Sequence, residues 1–107
     1  MATLDRRLIL DEKLRRILGS SNLYFEPPTS QMMKYPCIRY KRSNIDVVFA
    51  DNKPYLGRNR YEIVAIFEDA DDDLPERLLY NKEGLVLNLE RPYVADGLHH
   101  YVFTTHF

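Results

Sequence analysis

The chain has 107 residues, 45% of them hydrophobic, with fifteen Lys and Arg against sixteen Asp and Glu. That length suits one folded domain around one core, and the composition is unlike that of charge-rich, aromatic-poor disordered chains. A net charge of -1 removes any general attraction to nucleic acid or an anionic membrane, and the single cysteine, Cys37, removes a disulfide framework and a multi-cysteine zinc site.

Leu10, Leu14, Ile17 and Leu18 recur at spacings of three and four, and Leu4 and Leu8 begin a similar stripe, which predicts an amphipathic helix over about residues 4 to 18. Thr3 suits the N-cap. Asp5 near the start, Arg15 and Arg16 in the last turn, and Gly19 just beyond agree with the helix dipole and a left-handed C-terminal residue. Residues 20–35 read as a long loop in which Leu23-Tyr24-Phe25 is an apolar plug between Ser20-Ser21-Asn22 and Pro27-Pro28-Thr29-Ser30. After Pro36, Ile38 and Tyr40 alternate with Arg39 and Lys41 as on a strand, Ser43-Asn44 reads as a turn, and Ile45 to Phe49 as a second strand. Asp51-Asn52-Lys53-Pro54-Tyr55 with Gly57 is expected to be a loop.

Tyr61, Ile63, Ala65 and Phe67 share one face of a third strand, with Val64 and Ile66 on the other, so this strand is expected at the centre of a sheet, covered on both sides and by the N-terminal helix on one. Asp73 as cap and Pro75 in the first turn open a short helix near 74–80, and Asn81 to Gly84 end it. Leu85, Leu87 and Leu89 alternate with Val86, Asn88 and Glu90, and Asp96-Gly97 turns the chain into Tyr101 to Thr105 as a C-terminal hairpin. The expected fold is a single α+β domain over 1–107: two helices on a mainly antiparallel sheet of about five strands.

The chemistry-bearing residues do not converge on a catalytic site. Glu68, Asp69, Asp71, Asp72 and Asp73 lack the glycine and terminal glutamate of a calcium loop, and read as a solvated turn into the short helix. His100 and His106 fall on one face of the last strand and His99 on the other, a poor ligand set. No nucleophile elbow, phosphate loop or dinucleotide fingerprint occurs, so neither an enzyme nor a cofactor is expected. Cys37 reads as a small buried hydrophobe in a strand. No run of about 18 apolar residues is present, and Met1 to Arg7 have no apolar core after their charges, so neither a membrane span nor a secretory signal is expected.

Eight Tyr and five Phe without Trp are a heavy aromatic load, and several fall in loops beside arginines, the composition of protein interfaces. The interface candidates are Tyr24, Phe25, Tyr35, Arg39, Tyr55, Arg58, Arg60 and Tyr93.

Four strings carry a family likeness: Tyr24-Phe25-Glu26-Pro27-Pro28, Tyr35-Pro36-Cys37-Ile38-Arg39-Tyr40, Phe49-Ala50-Asp51-Asn52-Lys53-Pro54-Tyr55 and Tyr93-Val94-Ala95-Asp96-Gly97-Leu98-His99-His100-Tyr101-Val102-Phe103. From about residue 20 onward the chain resembles the short neck proteins of long-tailed bacteriophages, described as tail terminator, tail completion, minor capsid or head-tail joining proteins. Asp71-Asp72-Asp73 and Lys82-Glu83-Gly84 match none of the family's distinctive strings. The resemblance implies an α+β subunit of a ring, typically a hexamer. That ring would cap the major tail tube protein, dock on the head connector or head-closure protein, and let genomic DNA pass through its lumen without specific binding. It implies a virion location after assembly in the host cytoplasm, and no catalytic residues. The loops Tyr24 to Tyr35 and Asp51 to Arg60 are then expected to reach neighbouring subunits or the tube. A head-closure adaptor and a small module binding a host protein are the two rival readings.

Overall fold

The computed structural model describes residues 3–50 and 53–107, and side chains at 5–43 and 59–107. Helix α1 spans Thr3–Leu18, with Leu10, Leu14, Ile17 and Leu18 buried as their spacing requires. It begins at Thr3 itself, so the capping position lies outside the described residues, as does the Leu4 side chain. Leu8 is 48% exposed. Residues two positions apart in an α-helix are turned about 200° from one another, so Leu8 cannot share a face with Leu10. Arg6 and Arg7 continue the inner face instead, lying 4.3 Å and 4.2 Å over the rings of Phe107 and Phe25.

Five strands follow, β1 (Leu23–Phe25), β2 (Cys37–Ala50), β3 (Lys53–Phe67), β4 (Asn88–Ala95) and β5 (Leu98–His106), with helix α2 (Leu74–Leu79) between β3 and β4. They form one sheet in the order β1-β2-β3-β5-β4. β1 runs parallel to β2 and every other pairing is antiparallel. The fold class is thus the α+β arrangement expected, with β3 at the centre, but several elements differ. The apolar plug Leu23-Tyr24-Phe25 is a strand on the edge of β2. Ser43-Asn44 does not turn the chain; a bulge between Arg42 and Asn44 absorbs the irregularity and β2 runs on to Ala50. The stretch expected as a loop from Asp51 is strand from Lys53 onward, with Pro54 opposite Phe49, while Asp51 and Asn52 lie outside the described residues. Leu85 and Leu87 are buried but precede β4 rather than forming part of it.

β3 is covered on both faces. On one, Tyr61, Ile63, Ala65 and Phe67 pack with Ile38, Tyr40 and Phe103 beneath Leu10, Leu14, Leu74, Leu78, Leu85 and Leu87. On the other, Cys37, Val64, Ile66 and Val102 are roofed by Tyr24, Met33, Tyr35 and Leu98. Polar contacts fix α1 to the sheet: the Tyr40 hydroxyl donates to Asp11 Oδ2 at 2.6 Å, and Arg7 Nη1 donates to the same hydroxyl at 3.4 Å. Arg77 joins the helices by donating to the carbonyls of Ile17 and Leu18 at 3.0 Å and 3.1 Å, satisfying acceptors that the end of α1 leaves open. Asp73 precedes α2 but makes no side-chain cap; its carboxylate pairs with Arg77 at 3.0 Å, and Asp72 Oδ1 accepts the Leu74 amide at 2.9 Å.

Beyond Arg60, where β5 ends its pairing with β3, the segments Asn44–Ala50 and Lys53–Asn59 pair in register only with each other. This ribbon extends the molecule to 51 Å along its longest axis. The radius of gyration is 14.8 Å, where a compact chain of this length has about 13 Å. At the ribbon's root Asn59 is buried and its Oδ1 atom has no hydrogen-bond partner among the described residues.

Candidate functional site

The β4-β5 hairpin is set by Asp96 and Gly97, whose φ angles of 53° and 73° are those of a two-residue type I′ turn. In such a hairpin the closing pair, Ala95 and Leu98, is hydrogen-bonded, so Val94 and Pro92 direct their backbone groups to the outside. Nothing among the described residues pairs with that outer edge. Pro92 has no amide hydrogen to leave unsatisfied there, which suits it to an edge strand. Every β4 residue but Ala95 is exposed, including Leu89 at 43% and Val94 at 64%. Val86, just before the strand, is 75% exposed because Leu85 and Leu87 turn inward.

The opposite edge is only partly closed. β1 covers β2 from Ile38 to Tyr40, and the Glu26 amide adds one bond to the Tyr40 carbonyl at 2.9 Å. From Ser43 to Ala50 no described strand lies on the outer side of β2. The molecule therefore presents two unlike strand edges.

Between these edges, on the face away from the helices, Glu26, Pro27, Arg39, Lys41, Glu62 and Val64 line an open groove of about 360 Å³. Its two cations and two carboxylates balance, and it holds no nucleophile beside a base. Further along this face Tyr93 stacks on His100, ring centres 4.6 Å apart, with the Arg91 guanidinium 5.7 Å from the Tyr93 ring centre. Arg91 makes no ion pair among the described residues. Glu90 accepts from the Thr104 hydroxyl at 2.8 Å.

The expected interface residues scatter across these surfaces. Tyr93 is 36% exposed on β4. Arg39 lines the groove, and Arg60 marks the root of the ribbon, pairing with Asn44 on one side and His106 on the other. Tyr24 and Tyr35 are half-buried against the second core layer, the Tyr24 hydroxyl accepting the Lys34 amide at 3.1 Å. Phe25 lies 4.9 Å from Tyr40, between that ring and Arg7, so much of its surface is already used within the chain. Tyr55 and Arg58 belong to β3 by backbone, and their side chains lie outside those described. Leu89, Arg91 and Val94 were not among the expected interface residues. Pro92 inside an otherwise strand-like run was the one local mark of an edge.

The titratable groups perturbed by the fold are structural. Burial pushes the Cys37 thiol up to about 11 against a partial opposing pull from Arg39, leaving it protonated and unreactive at neutral pH. Burial, followed by the bond to Asp11, raises the Tyr40 hydroxyl well above the usual tyrosine range. Among the described residues no three His, Cys, Asp or Glu side chains gather as metal ligands, and no helix is long and apolar enough to cross a membrane. Asp69 and Asp72 of the acidic loop accept the backbone amides of Asp71 and Leu74 at 2.9 Å each. Comparison with protein-family models, with curated proteins and with solved structures finds no match for the chain.

Proposed function

We propose that this chain is a ring-forming structural subunit of the head-tail junction of a long-tailed bacteriophage, acting as a tail terminator and without a catalytic role. A closed ring of identical subunits needs two different, complementary surfaces on each copy. The observation that carries the reading is the pair of unlike edges left uncovered among the described residues, the apolar-faced β4 on one side and β2 from Ser43 on the other. The four family-like strings support the same reading, since two of them reach those edges: Phe49 and Ala50 lie on β2, and Tyr93 to Ala95 on β4. In this role the ring caps the tail tube and then meets the head connector, and DNA passes through a lumen it does not bind specifically.

The test is self-association and tube binding. Size-exclusion chromatography with light scattering is expected to give a ring, most simply a hexamer, and negative-stain images of the protein mixed with tail tubes are expected to show it at one end of each tube. A chain that stays monomeric at every concentration and ignores the tubes would favour a module that binds a host protein, and the ring reading would be abandoned.

A further inference from the structure

We infer that neighbouring subunits join by strand addition, the outer edge of β4 in one copy pairing antiparallel with the outer edge of β2, from Ser43 to Ala50, in the next. The inference rests on the ring reading and names the contact that closes it.

Direction is the first support. Because β2, β3, β5 and β4 alternate in direction across the sheet, a second copy placed in the same orientation brings its β2 antiparallel to β4. Antiparallel strands pair more readily than parallel ones. Length is the second: β4 has 8 residues, and Ser43 to Ala50 is a stretch of equal length. Charge is the third. Asp46 is the one charged residue from Ser43 to Ala50, and Arg91 is the cation of β4, without an ion-pair partner among the described residues.

An antiparallel register with Arg91 opposite Asp46 puts Leu89 opposite Val48 and Val94 opposite Ser43. Leu89 and Val94, exposed in the single copy, would be covered. The ribbon gains too: a two-stranded β-ribbon is at best marginally stable in water, and a third strand supplies the support it lacks within its own chain.

The test uses charge exchange between copies of the full chain. R91E and D46R are each expected to weaken ring formation by roughly tenfold or more, because like charges then face one another across the contact. An equimolar mixture of the two is expected to restore rings, because each variant's β4 then meets a complementary β2 and the two alternate around the ring. V94P removes an outward-facing amide without touching the hairpin's own bonds; it is expected to leave the monomer folded by circular dichroism and to block assembly. If R91E, D46R and V94P all assemble as the unaltered chain does, or if the mixture stays as dissociated as its components, the strand contact is wrong while the ring stands. If the unaltered chain never associates, the ring reading fails first.

Discussion

Asn81 engages every hydrogen-bonding atom of its amide in one loop. Its Nδ2 donates to the carbonyls of Leu78 and Leu85 at 2.8 Å and 2.9 Å, and its Oδ1 accepts the amides of Glu83 and Leu85 at 3.0 Å and 3.1 Å. These bonds hold the end of α2 to the segment that sends Leu85 and Leu87 into the core, and they place Glu83 where Arg16 reaches it at 2.8 Å and Lys13 donates to its carbonyl at 2.6 Å. Since water can replace part of what is lost at a half-buried site, N81A is expected to cost about 2 kcal/mol in urea unfolding. A loss below a few tenths would show that the loop is held by its leucines alone. Asparagine in a turn was legible in the sequence; its four bonds were not, because they depend on the backbone path from Leu78 to Leu85 rather than on residue type.

At the scale of elements, the β4-β5 hairpin is the most locally determined part of the fold. Asp96-Gly97 between two alternating runs is a strong turn signal, and the structure places the turn there. A Cβ added at Gly97 would meet nothing within 4 Å, so G97A tests backbone conformation alone. It is expected to destabilise by about 1 kcal/mol, read as a lowered thermal midpoint, since a left-handed residue with a side chain is strained by that order. No shift would mean that the hairpin adopts another turn. Helix α1 and the central strand were legible for a similar reason, the periodic placement of Leu10, Leu14 and Ile17 and of Ile63, Ala65 and Phe67. β1 was hidden because Leu23 to Phe25 is too short to show a period, and its pairing is to a strand more than ten residues away. The long β2-β3 ribbon was hidden because Asn, Pro and Gly in it look like punctuation; bulges and an edge position accommodate them. The exposed edge of β4 could not be read from its residues, because which strand lies outermost is decided by pairings over the whole chain.

For the molecule as a whole, two buried acidic groups set how stability responds to alkali. The folded state keeps the Cys37 thiol protonated to about pH 11, where the unfolded chain gives up that proton near pH 9, and it holds the Tyr40 hydroxyl proton beyond the ordinary range as well. Both folded values are raised, so both contributions are complete below pH 9; that of Cys37 is lost as the pH climbs through 11, and that of Tyr40 begins to fall above pH 10 and goes on falling beyond 11. Denaturant unfolding across that window is expected to show a steady fall, and C37A is expected to flatten part of it. A curve that C37A leaves unchanged would mean that the thiol meets water in the folded state. Acid should act differently, since neither group titrates there.

Pro92 has one more consequence. Fibril-forming segments need roughly six uninterrupted residues of high β-propensity without proline. Downstream of Pro92 only Tyr93, Val94 and Ala95 remain before the hairpin reverses, and upstream Glu90 and Arg91 place adjacent charges in the run. This free margin of the protein is thereby broken into lengths too short to seed amyloid.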